Sequence, residues 1–197
     1  DEVTASRSSI PGVRIIAITD LAGASINLPV EPANNCAGRA VISLLDATRP
    51  GYGIDLVIRK GVPLSSGLGG SAASAVAAVV AANGLADAPL EPEALYPFAL
   101  DGEAVASGSR HGDNVGPSLI GGIVMALADR LVPLNAPSWL YAVVVHPDQQ
   151  VETKVARALL ADPMPLAAIN AQTNALGQLL LGLQYGDREM LRHGLVD

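Results

Sequence analysis

The stretch KGVPLSSGLGGSAASAVAAVVAANGL, Lys60 to Leu85, runs a polar, glycine-dense loop without a break into an alanine-rich apolar segment. The apolar part predicts a helix from about Ser71 to Asn83, stopped by Gly84. The first turn of a helix exposes N–H groups that have no partner within it and carries partial positive charge. An anion placed there gains hydrogen bonds and dipole stabilisation together. Glycines at 67, 69 and 70 let the backbone approach such a group closely, and Ser65, Ser66 and Ser71 add hydroxyl donors beside it. The group that best suits this junction is a polyphosphate. The competing reading is a flexible turn ahead of a helix that packs through small residues.

Two other phosphate loops can be compared with it. A Walker loop ends in Gly-Lys-Ser/Thr, whereas this one reads Gly-Gly-Ser with no lysine following in the helix, which excludes that class. The dinucleotide fingerprint fits in part: Gly67, Gly69 and Ala72 match G-x-G-x-x-A, and Asp87 lies about twenty residues beyond Gly67, near where a ribose-binding acid would stand. That acid should end a second strand, yet ADAPLEPEALYPFA holds two prolines and resembles a helix start. GVPLSS also separates the preceding strand from the glycines, where a dinucleotide turn is immediate.

Outward from the loop, RIIAITD (Arg14 to Asp20) and GIDLVIRK (Gly53 to Lys60) read as strands, with a helix over NNCAGRAVISLLDAT between them. A second helical stretch runs from about Glu93 to Ser107, with an interruption or kink expected at Pro97. The polar loop GSRHGDNVGPS then leads to a strand at GGIVMALA. From PSWLYAVVVHPD the pattern restarts with a strand and a helix over about Glu152 to Leu160, so a domain boundary is placed near Pro137. Leu166 to Leu195 reads as largely helical. Helices and strands mix without strict alternation, which favours α+β over a doubly wound parallel sheet.

Composition limits the possible functions. A net charge of -7, 12 Lys plus Arg and 3% aromatics give no surface for nucleic acid. Cys36 is the sole cysteine, and His111, His146 and His193 show no metal-ligand spacing with it, which argues against zinc or iron–sulfur chemistry. The apolar runs stop short of a membrane span and no basic-then-apolar leader opens the chain, so a soluble, cytoplasmic protein that does not associate with membranes is expected.

PLSSGLGGSAAS resembles the phosphate-binding motif P-x-x-x-G-L-G-S-S-A of the GHMP kinases, with Gly70 in place of the usual first serine. GSRHGDNVGPSLIGG and VVVHPDQQVETKVAR are similar to two further segments of the homoserine kinases within that group, in the same order, so the resemblance spans essentially the whole chain. It implies an α+β, two-domain GHMP-kinase fold. Residues 1–137 would form the ATP-binding domain, with a left-handed βαβ-type phosphate loop, and 138–197 would begin a ferredoxin-like C-terminal domain. It also implies transfer of the γ-phosphoryl group of ATP, with Mg2+, to the side-chain hydroxyl of L-homoserine, on the route to threonine. A mevalonate or sugar acceptor is the alternative within the same group, and an NAD-binding oxidoreductase the alternative outside it. A homodimer would be usual.

The resemblance also assigns roles. Pro63, Ser65, Ser66, Gly67, Leu68, Gly69, Gly70, Ser71 and Ala72 would cradle the phosphates, and Asn34 and Asn35 would receive adenine. Ser71 and Glu103 would hold the magnesium ion, which needs few protein oxygens because it keeps several waters. His111 and Asn114 would face homoserine, with Asn114 beside the attacking hydroxyl. Thr153 would stand near the reacting phosphate, and Arg157 would fork onto the substrate carboxylate. Homoserine kinases are thought to work without a general base, while Asp113, next to Asn114, stays a candidate for one. The family's opening Pro-x-x-x-Asn and Gly-x-Asp motif has no counterpart here, nor does its glycine-rich C-terminal motif. The expectation is an internal part of a longer chain that turns over little substrate alone.

Overall fold

The structure is a computed structural model that describes residues 1–64, 66–145 and 163–196. The first strands are β1 (Glu2–Ser8) and β2 (Val13–Asp20). A 3-10 turn at Pro32–Asn34 leads into α1 (Cys36–Thr48), followed by β3 (Gly53–Lys60) and α2 (Gly70–Asn83). A second 3-10 turn, Pro92–Leu95, precedes α3 (Tyr96–Ser107), and then come α4 (Val115–Ile120), β4 (Ile123–Ala126), β5 (Leu131–Leu134), α5 (Leu166–Tyr185) and α6 (Arg188–Gly194).

β3 is the centre of a three-stranded sheet in the order β1-β3-β2, antiparallel to β1 and parallel to β2. Its alternation turns Ile54, Leu56 and Ile58 inward, where they are almost wholly buried. Against them lie small side chains of three helices: Ala37, Ala40 and Val41 on α1, Ala72, Ala75 and Ala78 on α2, and Ala99 on α3. The helices come very close at Gly102, where a Cβ would sit 2.4 Å from the Cys36 carbonyl and 2.9 Å from Cβ of both Ala40 and Ala75. The alanine-rich composition of α2 is therefore a packing requirement as well as a helix signal. It lets α1 and α3 approach the element that carries the glycine loop.

The chain divides into two compact units, Asp1–Gly121 with Ala126–Leu131, and Gly122–Met125 with Val132–Asp197. In the second, α5 ends at Gly186, which adopts a left-handed φ of 65°, and α6 begins on the Asp187 side chain, which accepts from the Glu189 and Met190 amides. The Arg188 guanidinium stacks over Trp139 at 4.5 Å. Among the described residues no helix is long and apolar enough to cross a membrane.

The mixed order of elements matches the expected α+β class, but details differ. β1 was not anticipated, because EVTASRS alternates weakly and lies at a sheet edge. Pro97 does not kink a helix. It sits in the first turn of α3, where its missing N–H would have had no helical partner. The end of the polar loop after His111 forms α4. No strand forms over the described residues 137–145: Tyr141 and Val143 to Val145 are exposed. Strand-like composition needs a neighbouring strand to pair its backbone groups, and none meets this segment among the described residues. The helix expected over Glu152 to Leu160 lies outside the described residues.

Candidate active site

The loop between β3 and α2 has the geometry its glycines suggested. Gly67 and Gly69 both take left-handed backbone, with φ of 72° and 68°. Gly69 occupies the N-cap position of α2 and offers no side-chain cap, so the first amides of this helix are left for something other than a capping side chain. Ser66 Oγ accepts from the Leu68 amide at 3.3 Å, which tightens the turn. Gly70 is different. Its φ is not left-handed, and a Cβ there would make only ordinary contacts, the nearest at 3.4 Å to Val62, so the serine usual in the motif would fit.

Ser71, one residue into α2, lies near enough to Glu103 of α3 for its hydroxyl to favour the charged carboxylate. Glu103 is only 7% exposed, and its Oε2 is buried with no hydrogen-bond partner. Burial pushes its carboxyl above the ordinary value, as does the nearby Asp113, while the Ser71 hydroxyl and His111 act in the opposite direction. Ser71, Glu103, His111 and Asp113 therefore converge from α2, α3 and the loop after α3. A buried carboxylate oxygen without a donor calls for a cation, and a hydroxyl beside it supplies a second hard oxygen. Among the described residues no three His, Cys, Asp or Glu side chains form a metal cage, so a cation here would complete its shell with water and phosphate oxygens. Cys36, which also feels Glu103, has its thiol pushed up to about 11 by burial and stays protonated.

Asn114 closes the site from the other side. Its side chain lies against the glycine loop so closely that a Cβ on Gly69 would fall 2.9 Å from Cγ and Oδ1 of Asn114. The segment that carries it is held from outside: Arg110 pairs with Asp101 at 2.9 Å and donates to the Pro97 carbonyl, and Asp101 also accepts from Ser43 of α1 at 2.5 Å. His111 Nε2 is 2.6 Å from Ser109 Oγ. Gly112 packs onto Tyr96, whose hydroxyl donates to the Leu127 carbonyl at 3.0 Å and leaves no room for a side chain at 112.

Other expected residues are placed differently. Asn35 is buried and caps α1: its Oδ1 accepts from the Ala37 and Gly38 amides, and its Nδ2 donates to the Pro29 carbonyl at 2.8 Å. Asn34 beside it is exposed. Ser65, Thr153 and Arg157 lie outside the described residues. The dinucleotide alternative fails on the structure. Asp87 ends no strand, is 93% exposed and pairs with Arg7 at 2.6 Å, and the next strand after α2 is β4, well beyond the turn at residues 84–91.

Residues 35–122 match the family model described as the GHMP kinases N terminal domain. Over those residues the chain is similar to the GHMP kinases. Among curated relatives, homoserine kinase of Xylella fastidiosa (strain 9a5c) and that of Xanthomonas campestris pv. campestris (strain B100) are each 49% identical over 197 residues, which is 100% of this chain and 60% of each relative. The crystal structure of homoserine kinase from Cytophaga hutchinsonii superposes with a TM-score of 0.90 at 37% identity, covering 99% of this chain and 62% of that one. L. major mevalonate kinase in complex with R-mevalonate shares the fold, with a TM-score of 0.62 at 19% identity over 98% of this chain and 63% of that one. The chain thus spans about three fifths of the length of the curated relatives it matches.

Proposed function

We propose that the protein containing this chain is a homoserine kinase, transferring the γ-phosphoryl group of ATP to the side-chain hydroxyl of L-homoserine to give O-phospho-L-homoserine. The observation that carries the reading is the buried Glu103 oxygen that lacks a donor, close to Ser71 at the uncapped start of α2. Phosphoryl transfer needs positioning and charge neutralisation more than covalent help, and each requirement has a candidate group here.

Pro63 to Ala72 form the phosphate cradle, in which the amides and hydroxyls from Ser65 to Ala72 supply donors. Ser71 and Glu103 would hold Mg2+, which when bound neutralises and orients the phosphate oxygens. Asn114, which lies against Gly69, would stand beside the attacking hydroxyl of the acceptor, and His111 would recognise the amino-acid end of the substrate. Thr153 and Arg157 belong to the same proposal as groups on the reacting phosphate and the substrate carboxylate. Asn34 is the adenine-facing amide, and Asn35 shapes that turn by capping α1. Asp113 stands close enough to influence Glu103 electrostatically, which leaves it a candidate to receive the hydroxyl proton.

The test is an acceptor panel with the full-length protein, following ADP release in the presence of L-homoserine, mevalonate and a hexose. Turnover with L-homoserine well above the other two is the expected result. Equal or faster turnover of an alcohol that is not an amino acid would reject the homoserine assignment and leave only the kinase class.

A further inference from the structure

Lys60 and Asp1 stand apart from the residues assigned so far. β3 ends at Lys60, and its antiparallel register with β1, which sets Glu2 opposite Arg59, brings Asp1 opposite Lys60. The two side chains are 5% and 0% exposed and form an ion pair. Burying two charges is costly, and a pair this deep persists only when further hydrogen bonds satisfy both partners. Those bonds go to the two ends of the glycine loop. At its start, Asp1 Oδ1 accepts from the amides of Gly61 and Val62, each at 3.0 Å. At its end, Lys60 Nζ donates to the Gly70 carbonyl and to the Ser74 hydroxyl, each at 2.8 Å. The Ser74 hydroxyl completes the ring by donating to Asp1 Oδ2 at 2.6 Å.

We infer that Lys60 and Asp1 are a positioning pair for nucleotide binding, a buried clasp that fixes the spacing between Gly61–Val62 and Gly70–Ser74 and so aims the loop amides before the nucleotide arrives. The inference rests on the assignment of this loop to nucleotide phosphate. The ammonium is directed at Asp1, Gly70 and Ser74, so the pair acts through the loop and needs no contact of its own with the ligand. A loop with left-handed glycines at 67 and 69 has many conformations available when untethered, and ordering it in advance removes that cost from binding. The segment that leads to His111 is held separately, by Arg110 on Asp101, so the clasp acts on nucleotide more than on the amino-acid end of the acceptor.

The test uses the full-length protein with Asp1→Asn, Lys60→Met and Ser74→Ala, and it reads MgADP affinity, the acceptor KM and amide hydrogen exchange. A clasp needs both charges, so Asp1→Asn and Lys60→Met each weaken MgADP roughly tenfold or more, and Ser74→Ala weakens it about two- to fivefold. The acceptor KM changes far less. Amides from Ser66 to Ala72 exchange faster, while those in the middle of α1 and α3 keep their wild-type rates. Asp1→Asn is the decisive arm. If Lys60 worked by its own charge on the phosphates, releasing it from the carboxylate would leave MgADP affinity unchanged or raise it, and that result overturns the inference. Unchanged loop exchange, or equal losses for nucleotide and acceptor, overturns it as well. If a charge variant fails to fold, Ser74→Ala decides by the same readouts. If the wild-type protein fails to bind MgADP, the functional assignment falls, and loop exchange still judges the clasp by itself.

Discussion

Glu103 is the residue on which stability and function pull in opposite directions. A carboxyl whose pKa is raised on folding contributes stability below its unfolded value, 4.5, and loses it as the pH climbs through the folded value. At neutral pH the metal-free protein therefore bears the cost of a buried charge. Glu103→Gln should melt higher than wild type in the presence of a chelator, by a margin that widens as the pH is raised from about 4 to 7, and the margin should close when Mg2+ and ADP are added. Turnover of the variant should fall on the order of a hundredfold. A margin that does not depend on pH would contradict a buried carboxylate with one oxygen lacking a donor. The two glycines at the loop's end make a paired prediction. Gly69→Ala combines a left-handed φ with a clash against Asn114, so it should lose about 1–2 kcal/mol of stability and more than tenfold in kcat/KM. Gly70→Ser should leave kcat/KM within about threefold and raise stability by up to roughly 1 kcal/mol. Thermal melts and steady-state kinetics on the two variants check this. The nearness of Ser71 to Glu103 follows from the family resemblance, but the burial of Glu103 could not be read from the sequence, because it depends on three helices meeting at Gly102.

At the scale of elements, the helix starts were the most legible part. α1 starts at Cys36, two residues after the expected start at Asn34, because the Asn35 side chain caps it, and α2 starts within a residue of its expected position because the glycine loop marks it. The cap reading of Asn35 is open to test. Asn35→Ala should cost about 1 kcal/mol, and Asn35→Asp, which keeps the acceptor but sets a carboxylate oxygen against the Pro29 carbonyl, should recover only part of it. If Asn35→Asp were as unstable as Asn35→Ala while nucleotide affinity fell equally in both, the side chain would be acting on the ligand and not on the helix. β1 and α4 were illegible for opposite reasons. EVTASRS is a polar edge strand that lacks a strong alternating signal, and VGPSLI is a six-residue helix whose glycine and proline read as loop. LYAVVV has strand composition, but composition cannot supply a pairing partner, and Tyr141 to Val145 stay exposed and pair with no strand among the described residues. The clasp was hidden for a related reason. Lys60 and Asp1 are opposite each other only through the β1–β3 register, and nothing local to either residue signals it.

For the molecule as a whole, the layered part around β3 explains why one short loop could decide the fold. A sheet with Ile54, Leu56 and Ile58 facing three alanine-lined helices leaves the β3–α2 junction at the rim, with the loop after α3 brought against it. The acidic net charge agrees with the proposed function, in which backbone amides would hold the phosphates and no basic patch is required. The most direct test of the central claim is a crystal structure of the full-length protein with Mg2+ and a non-hydrolysable ATP analogue. The expected result is a triphosphate on the amides between Gly67 and Ala72, with one cation bound by both Ser71 Oγ and the Glu103 carboxylate. A triphosphate seated away from the start of α2, or a cation that touches neither side chain, would contradict it.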